Sequence, residues 1–241
     1  MIHITSYNID CGVGIDLQFN LMRSLHALKS LSADIISLQE VPIDHPDYPS
    51  HDYPSEAEKY LQCNGCFGKT FHFRNGGKFG NLLLSHYPLE LIENFPLPVP
   101  REIEPRSALI TKIKAKKIFY MIALHFPFQG ECENDNELRL QLMTELQQHI
   151  VEKQYFPVIL AGDLNNNETS PVLEFIRKSW DIANDCSDAL PTAKTRKFGW
   201  MQIDYICSYP KGAFSCKYFK REDEYGASDH YPVTAGFEYN Y

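Results

Sequence analysis

Ser228-Asp-His230, set directly before the apolar run Tyr231-Pro-Val-Thr-Ala-Gly-Phe237, puts a carboxylate and an imidazole in a short loop at the mouth of a strand. Alone, such a tripeptide is an ordinary surface turn. It gains meaning from four other places where an apolar run ends on a polar side chain. Asn8 closes Ile2-His-Ile-Thr-Ser-Tyr7, Glu40 follows Ile35-Ile-Ser-Leu38, His125 follows Ala123-Leu124, and Asp163 with Asn165 follows Pro157-Val-Ile-Leu-Ala-Gly162. One further carboxylate, Asp204, lies inside Gln202-Ile-Asp-Tyr-Ile206. Strands that deliver polar groups at their ends, along the whole chain, are what a β-rich scaffold with one functional edge requires.

The flanking chain supplies that scaffold. Phe19, Met22, Leu25, Leu28 and Leu31 recur every three residues and predict a helix to about Ser32. Asp34 to Glu40 reads as a buried strand stopped by Pro42, and 42–55, rich in proline, as a long irregular loop. A short helix is expected over 55–63. Strand-like segments follow at 69–74, 79–86, 89–95, 106–114 and 117–126. Leu138, Leu142, Met143, Leu146, Ile150 and Val151 share one helical face, capped by Asn134 or Asp135. Thr169 or Ser170 with Pro171 opens another helix, to about Lys178. Residues 183–200 read as irregular, and strands are expected at 202–208, 213–220 and 231–237. Some ten strands with three or four helices imply two packed sheets with helices outside, in a single domain spanning 1–241.

Composition narrows the function classes. With 44% hydrophobic residues and no apolar run near the roughly 20 needed to cross a bilayer, a soluble globular protein is expected. The N-terminus alternates like a strand and lacks a secretory signal, so the expected location is cytoplasmic. A formal net charge of −8 argues against a protein that coats nucleic acid. It leaves room for a nuclease, because carboxylates that hold a cation add to the same count. The seven cysteines read as reduced thiols; Cys63-Asn-Gly-Cys66 has the spacing of a redox pair or half a zinc site, with no second half.

Each candidate has a plainer reading beside it. Asn8 at a strand end is also a turn former, and a lone His125 is also a core histidine. Glu40 is harder to set aside, because a buried strand carries its carboxylate to an edge, and Mg²⁺ is bound through one or two carboxylates plus water and phosphate oxygens. Asp204, charged inside an apolar strand, needs a partner. His230 is the natural one, since a carboxylate on an imidazole fixes its tautomer.

The ordered set Thr5-Ser-Tyr-Asn-Ile9, Ile36-Ser-Leu-Gln-Glu-Val41, Gly80-Asn-Leu-Leu-Leu-Ser85, Leu124-His125, Ala161-Gly-Asp-Leu-Asn165, Gln202-Ile-Asp-Tyr-Ile206 and Ser228-Asp-His230 resembles the endonuclease/exonuclease/phosphatase superfamily. The resemblance implies an α/β fold, a four-layer sandwich of two packed mixed sheets flanked by helices, and metal-dependent phosphoester hydrolysis. It implies Mg²⁺ (or Mn²⁺) held by Glu40 with Asn8 and Asp229, and a catalytic set of His125, Asp163, Asn165, Asp204 and His230. Asp163 would orient or deprotonate water, Asn165 would hold the water or the phosphate, and His230 on Asp204 would be base or transition-state donor. Asn81 and Arg106 match positions near substrate, a structural salt bridge being the other reading of Arg106.

The fold does not choose the substrate. A phosphodiester in nucleic acid or a nucleotide-like compound leads, and a phosphoinositide or phospholipid headgroup is the alternative. A non-catalytic binding module on the same scaffold is the reading from another class. A monomer is expected, without a stable membrane association or protein partner.

Overall fold

A computed structural model describes residues 1–128, 130, 134–188, 190–195, 198–223 and 226–240. In chain order it contains β1 (Ile2–Asn8), α1 (Leu21–Leu31), β2 (Ile35–Ile43), α2 (Tyr53–Leu61), β3 (Asn64–His72), β4 (Lys78–Ser85) and β5 (Leu89–Leu97). Then follow β6 (Arg106–Lys114), β7 (Ile118–His125), α3 (Asp135–Lys153), β8 (Val158–Asp163), α4 (Pro171–Ser179) and β9 (Asp181–Ile182). The last elements are β10 (Ala193–Thr195), β11 (Gly199–Met201), β12 (Asp204–Tyr209), β13 (Phe214–Arg221) and β14 (Val233–Tyr239).

The strands make two six-stranded sheets, ordered β13-β14-β1-β2-β4-β3 and β5-β6-β7-β8-β12-β9, with β10-β11 a separate hairpin. Each large sheet is mixed, its one parallel pair made by a helical crossover: β1–β2 through α1, and β7–β8 through α3. Alternation of side chains along a strand sorts residues between the two faces. Ile2, Ile4, Ile35, Leu83, Leu109, Met121, Ile159, Ile206 and Val233 face inward and fill the space between the sheets. On the outer faces, Tyr7, Ile36, Leu38 and Leu82 pack with Leu21, Leu25 and Leu28 of α1 and Tyr53 and Ala57 of α2. Ile122, Leu124, Leu160 and Tyr205 pack with Leu142, Met143 and Leu146 of α3 and Leu173 and Ile176 of α4. The result is the expected four-layer sandwich, α on β on β on α.

Toward one end the inner layer changes from apolar to polar, and hydrogen bonds join the sheets. Ser37 Oγ donates to the Ala161 carbonyl at 2.8 Å, and the Asn81 amide donates to the Ser107 and Ala123 carbonyls at 2.9 and 3.4 Å. Buried polar groups are tolerated there because each has such a partner. Gly162 also acts in this layer. It lies within β8, not in a turn, and a Cβ on it would meet the Leu124 carbonyl oxygen at 1.9 Å, so only glycine lets β7 and β8 approach so closely.

Several expectations are corrected. Met22 is exposed and Leu21 takes its place against the sheet, because an every-third-residue pattern drifts around a helix of 3.6 residues per turn. Pro42 does not stop β2, which continues to Ile43 paired with β4; beyond Gln39 its other neighbour, β1, has ended and proline costs no hydrogen bond on that side. Val151 is exposed at the end of α3. Residues 183–200 are not wholly irregular, since they hold the turn Ala183–Cys186, β10 and the start of β11. Cys63 packs toward the α1–α2 layer whereas Cys66 approaches Leu91 of β5, so the two thiols diverge and are free. Cys132 lies outside the described residues.

Candidate active site

Register assembles the centre. His125 at the end of β7, Asp163 at the end of β8 and Asp204 at the start of β12 lie side by side in one row across three adjacent strands. They follow inward-facing Ala123 and Ala161 and precede inward-facing Ile206 by two residues, so all three side chains enter the space between the sheets. Asn8 ends β1 on the opposing sheet. The loop carrying His230 is tied to it: Ser228 Oγ donates to the Asn8 carbonyl at 2.8 Å and accepts the His230 N–H at 3.1 Å.

Glu40 arrives by a different route. The β2–β4 register slips between Leu38 and Val41, and Glu40 sits in the slip at φ +56°. A left-handed backbone at a branched-free but non-glycine residue is held by its surroundings. The bulge swings the carboxylate out of the β2 alternation and into the cavity. Asn165 also has a positive φ, 49°, and its amide donates to the Phe126 carbonyl at 3.0 Å and lies 3.3 Å from His125 Nε2.

Asp163 is the hub. Its Oδ1 accepts the Asn165 N–H at 2.8 Å and its Oδ2 accepts from Asn8 Nδ2 at 3.2 Å. His125 Nε2 and His230 Nε2 stand 3.6 and 3.7 Å from that same Oδ2. Asp204 is fully buried and meets His230 Nδ1 at 3.0 and 3.2 Å through its two oxygens. Thr192, which sequence reasoning missed, completes that pair: its hydroxyl donates to Asp204 Oδ2 at 2.6 Å while accepting the Ile203 and Asp204 N–H groups at 3.0 and 3.1 Å. A threonine in a polar stretch twelve positions before a buried aspartate carries no sequence signal; only the fold brings them together.

Burial and neighbouring charge set the protonation states. Burial pushes Asp163 up to about 7; the His230 charge pulls the other way, and Asp204 adds to the rise. Burial also raises Glu40, against the opposing hydrogen bond from Asn8 and the charges of Arg106 and His230. At His230 burial disfavours the charge, but Asp204, Asp163 and Asp229 outweigh it and leave the ring well above the usual histidine range, hence cationic at neutral pH. His125 goes the other way: burial, then the charges of Arg106 and His230, hold it neutral.

These residues open on a cavity of about 320 Å³, at the small end for ligand sites. Among the described residues its wall includes the carboxylates Asp10, Glu40, Glu104, Asp163 and Asp229, against one guanidinium, Arg106. This surplus of negative charge, with Glu40 and Asp163 both raised, fits a hard divalent cation on oxygen ligands. Asp163, Asp204 and His230 also bring one potential ligand atom each within 4.8 Å of one another. Asp204 is already bonded to His230 Nδ1, and a cationic ring has no lone pair to offer, so the open carboxylates Glu40 and Asp229 are the better ligand pair.

Two candidates, Asn8 and Asn81, need revision. Asn8 presents its NH₂ to the centre, donating to Glu40 Oε1 at 2.9 Å as well as to Asp163, while its oxygen takes the Asp10 N–H; as placed, it orients ligands and is not one. Asn81 does not line the cavity, its amide being spent on the carbonyls that join the sheets. Arg106 does line it, and also forms the salt bridge to Glu104.

Residues 5–230 match the sequence profile of the Endonuclease/Exonuclease/phosphatase family. The uncharacterized protein YbhP of Escherichia coli K12 is 27% identical over 173 residues, which span 68% of this chain and 66% of that protein. An endonuclease/exonuclease/phosphatase from Beutenbergia cavernae superposes with a TM-score of 0.78 at 20% identity, covering 99% of this chain and 71% of the other. A mannosyl-6-phosphatase of Bacteroides thetaiotaomicron superposes at 0.74 and 17% identity, covering 99% and 100%. At those identities the likeness to both structures is one of fold.

Proposed function

The chain belongs to the endonuclease/exonuclease/phosphatase family, whose members hydrolyse phosphoester bonds, and from that premise we propose that it hydrolyses a phosphodiester of a nucleotide-like compound or nucleic acid by in-line attack of water. The observation that carries the reading is the meeting of Asp163, Asn165, His125 and the Asp204–His230 pair around one cavity, with Glu40 and Asp229 on its wall.

Glu40 and Asp229 would hold the divalent cation, with Asn8 orienting Glu40. A cation there supplies neutralisation of charge on the phosphoryl oxygens. The remaining work falls to side chains whose states are set. Asp163, poised near neutrality and pinned by the Asn165 N–H, accepts the proton of the attacking water. The cationic His230, held by Asp204 and Thr192, points Nε2 toward Asp163 and the cavity, where it donates to an oxygen that gains charge in the transition state. Asn165 and neutral His125 hold the phosphate for in-line approach. Arg106, the one lysine or arginine among the described residues of the wall, favours a substrate that brings a single phosphodiester inside, with any longer chain running out over the rim.

The test is steady-state hydrolysis with Mg²⁺ or Mn²⁺ of bis(p-nitrophenyl) phosphate, a dinucleotide, single-stranded and abasic DNA, RNA, and inositol phosphates, beside the His230→Ala protein. Cleavage of nucleotide substrates that the variant fails to cleave supports the proposal. Cleavage of inositol esters alone moves the substrate to the headgroup class. No hydrolysis by the folded wild type returns the chain to a binding role.

A further inference from the structure

Away from the cavity, a second pair of reactive groups faces each other. Cys186 ends the turn Ala183–Cys186 and is exposed; Cys216 lies half-buried on β13, against which that turn packs. Both line one surface cavity, together with the ion-paired Arg177 and Asp185, and with Asp181 and Lys211. The β13–β14 register slips just after Cys216, and the Cys216 thiol donates to the Tyr218 carbonyl at 3.3 Å, which fixes its direction. The Cys186 side chain, as a hydrogen-bonding neighbour, helps burial to push the Cys216 thiol up. Cys207, by contrast, is sealed in the core, and Cys63 and Cys66 point apart.

We propose that Cys186 and Cys216 are a dithiol that closes reversibly to a disulfide when the protein meets a small disulfide oxidant such as oxidised glutathione. Cys186 reacts first, because it is exposed whereas Cys216 is half-buried. Its sulfur displaces one glutathione thiolate and forms a mixed disulfide. The Cys216 sulfur then attacks that bond, giving the protein disulfide and releasing the second glutathione. Two protein thiols are oxidised, one glutathione disulfide is reduced to two thiols, and the two protein protons go to the leaving thiolates.

The position gives the bond a consequence. The chain between the two cysteines carries Thr192 and Asp204, the groups that orient His230. Two residues before Cys186, Asn184 clamps β12: its amide donates to the Asp204 carbonyl at 3.0 Å and its oxygen accepts the Ile206 N–H at 3.3 Å. Closing the disulfide ties this whole segment to β13 and removes freedom chiefly from the unfolded chain. The inference stands apart from the identity of the substrate.

The experiment treats the full chain with oxidised glutathione, blocks residual thiols under denaturing conditions, and maps disulfides by peptide mass. The expected result is a Cys186–Cys216 cross-link, lost on reduction, with a melting temperature roughly 5–10 °C above the reduced form. Cys186→Ser and Cys216→Ser, each melting like the reduced wild type, should both abolish the rise. A stable glutathione adduct on Cys186 with no cross-link, a cross-link to any other cysteine, or a melting rise that survives either substitution overturns the proposal.

Discussion

The two parallel crossovers, β1–α1–β2 and β7–α3–β8, are the same device in two sheets, yet they deliver opposite kinds of carboxylate. β8 ends on Asp163 within regular strand register, fully enclosed, with its oxygens taken up by Asn165 and Asn8. β2 carries Glu40 in a slipped register, three residues before its end, and the side chain keeps 26% of its surface exposed toward the cavity. Enclosure pushes Asp163 up to about 7 and suits it to hold and release a proton. Partial exposure suits Glu40 to an exchangeable cation. In the proposed mechanism, one residue's backbone conformation separates the proton acceptor from the cation ligand.

The largest effect should come from breaking the enclosed side. Asp163→Asn keeps the shape and removes the base, and His230→Ala removes the donor. Each should cut kcat by roughly two to four decades while the melting temperature stays within a few degrees. Normal turnover in either would sink the assignment of the proton to this crossover.

Next in size is Thr192→Val, which takes a hydrogen bond from a buried carboxylate and leaves two backbone N–H groups without their acceptor. A charged hydrogen bond of about 1.5–3 kcal/mol corresponds to a loss of roughly ten- to a hundredfold in kcat. Thr192→Ser should restore most of it, and an equal loss in both variants would mean that the methyl group, not the hydroxyl, matters.

The pH dependence of stability comes third. Asp163 holds its proton up to about pH 7 when folded and to about 4 when unfolded, so its folded pKa is raised. The folded state then binds the extra proton between those values, and unfolding free energy from this group falls as pH rises from about 4 to about 7. In cation-free buffer, Asp163→Asn should therefore gain on the wild type steadily across that window in denaturant melts. A constant difference would contradict the enclosed, raised carboxylate.

The smallest effect concerns the crossover helices themselves. Each ends on a non-glycine residue in left-handed conformation, Ser32 after α1 at φ 51° and Gln154 after α3 at φ 58°. Ser32→Gly and Gln154→Gly should each stabilise by about 0.5–1 kcal/mol, read by urea titration, because glycine adopts that conformation without a Cβ clash. Destabilisation at one end only would show that the two crossovers are capped differently.

Much of this was legible in the chain. Strand ends marked Asn8, Glu40, His125 and Asp163, a period of two gave the face of Asn8, His125 and Asp163, and the need of a buried carboxylate for a partner paired Asp204 with His230. What escaped depends on neighbours in space. Asn81 looks like a site residue by motif, but the gap it faces lies between the sheets, one layer below the cavity. Thr192 has no local pattern, and the slip that reorients Glu40 arises from pairing with β4. The drift of Met22 to the surface shows the limit of counting by threes.

Mn²⁺ titration of three folded proteins decides whether the two crossovers divide the labour in this way. Wild type, Glu40→Gln and Asp163→Asn would be followed by the paramagnetic signal of free Mn²⁺, with turnover measured on the same samples. Glu40→Gln should weaken binding at least tenfold, whereas Asp163→Asn should bind within a few-fold of wild type yet turn over almost nothing. Equal loss of Mn²⁺ binding in both variants, with turnover tracking occupancy, would contradict that division.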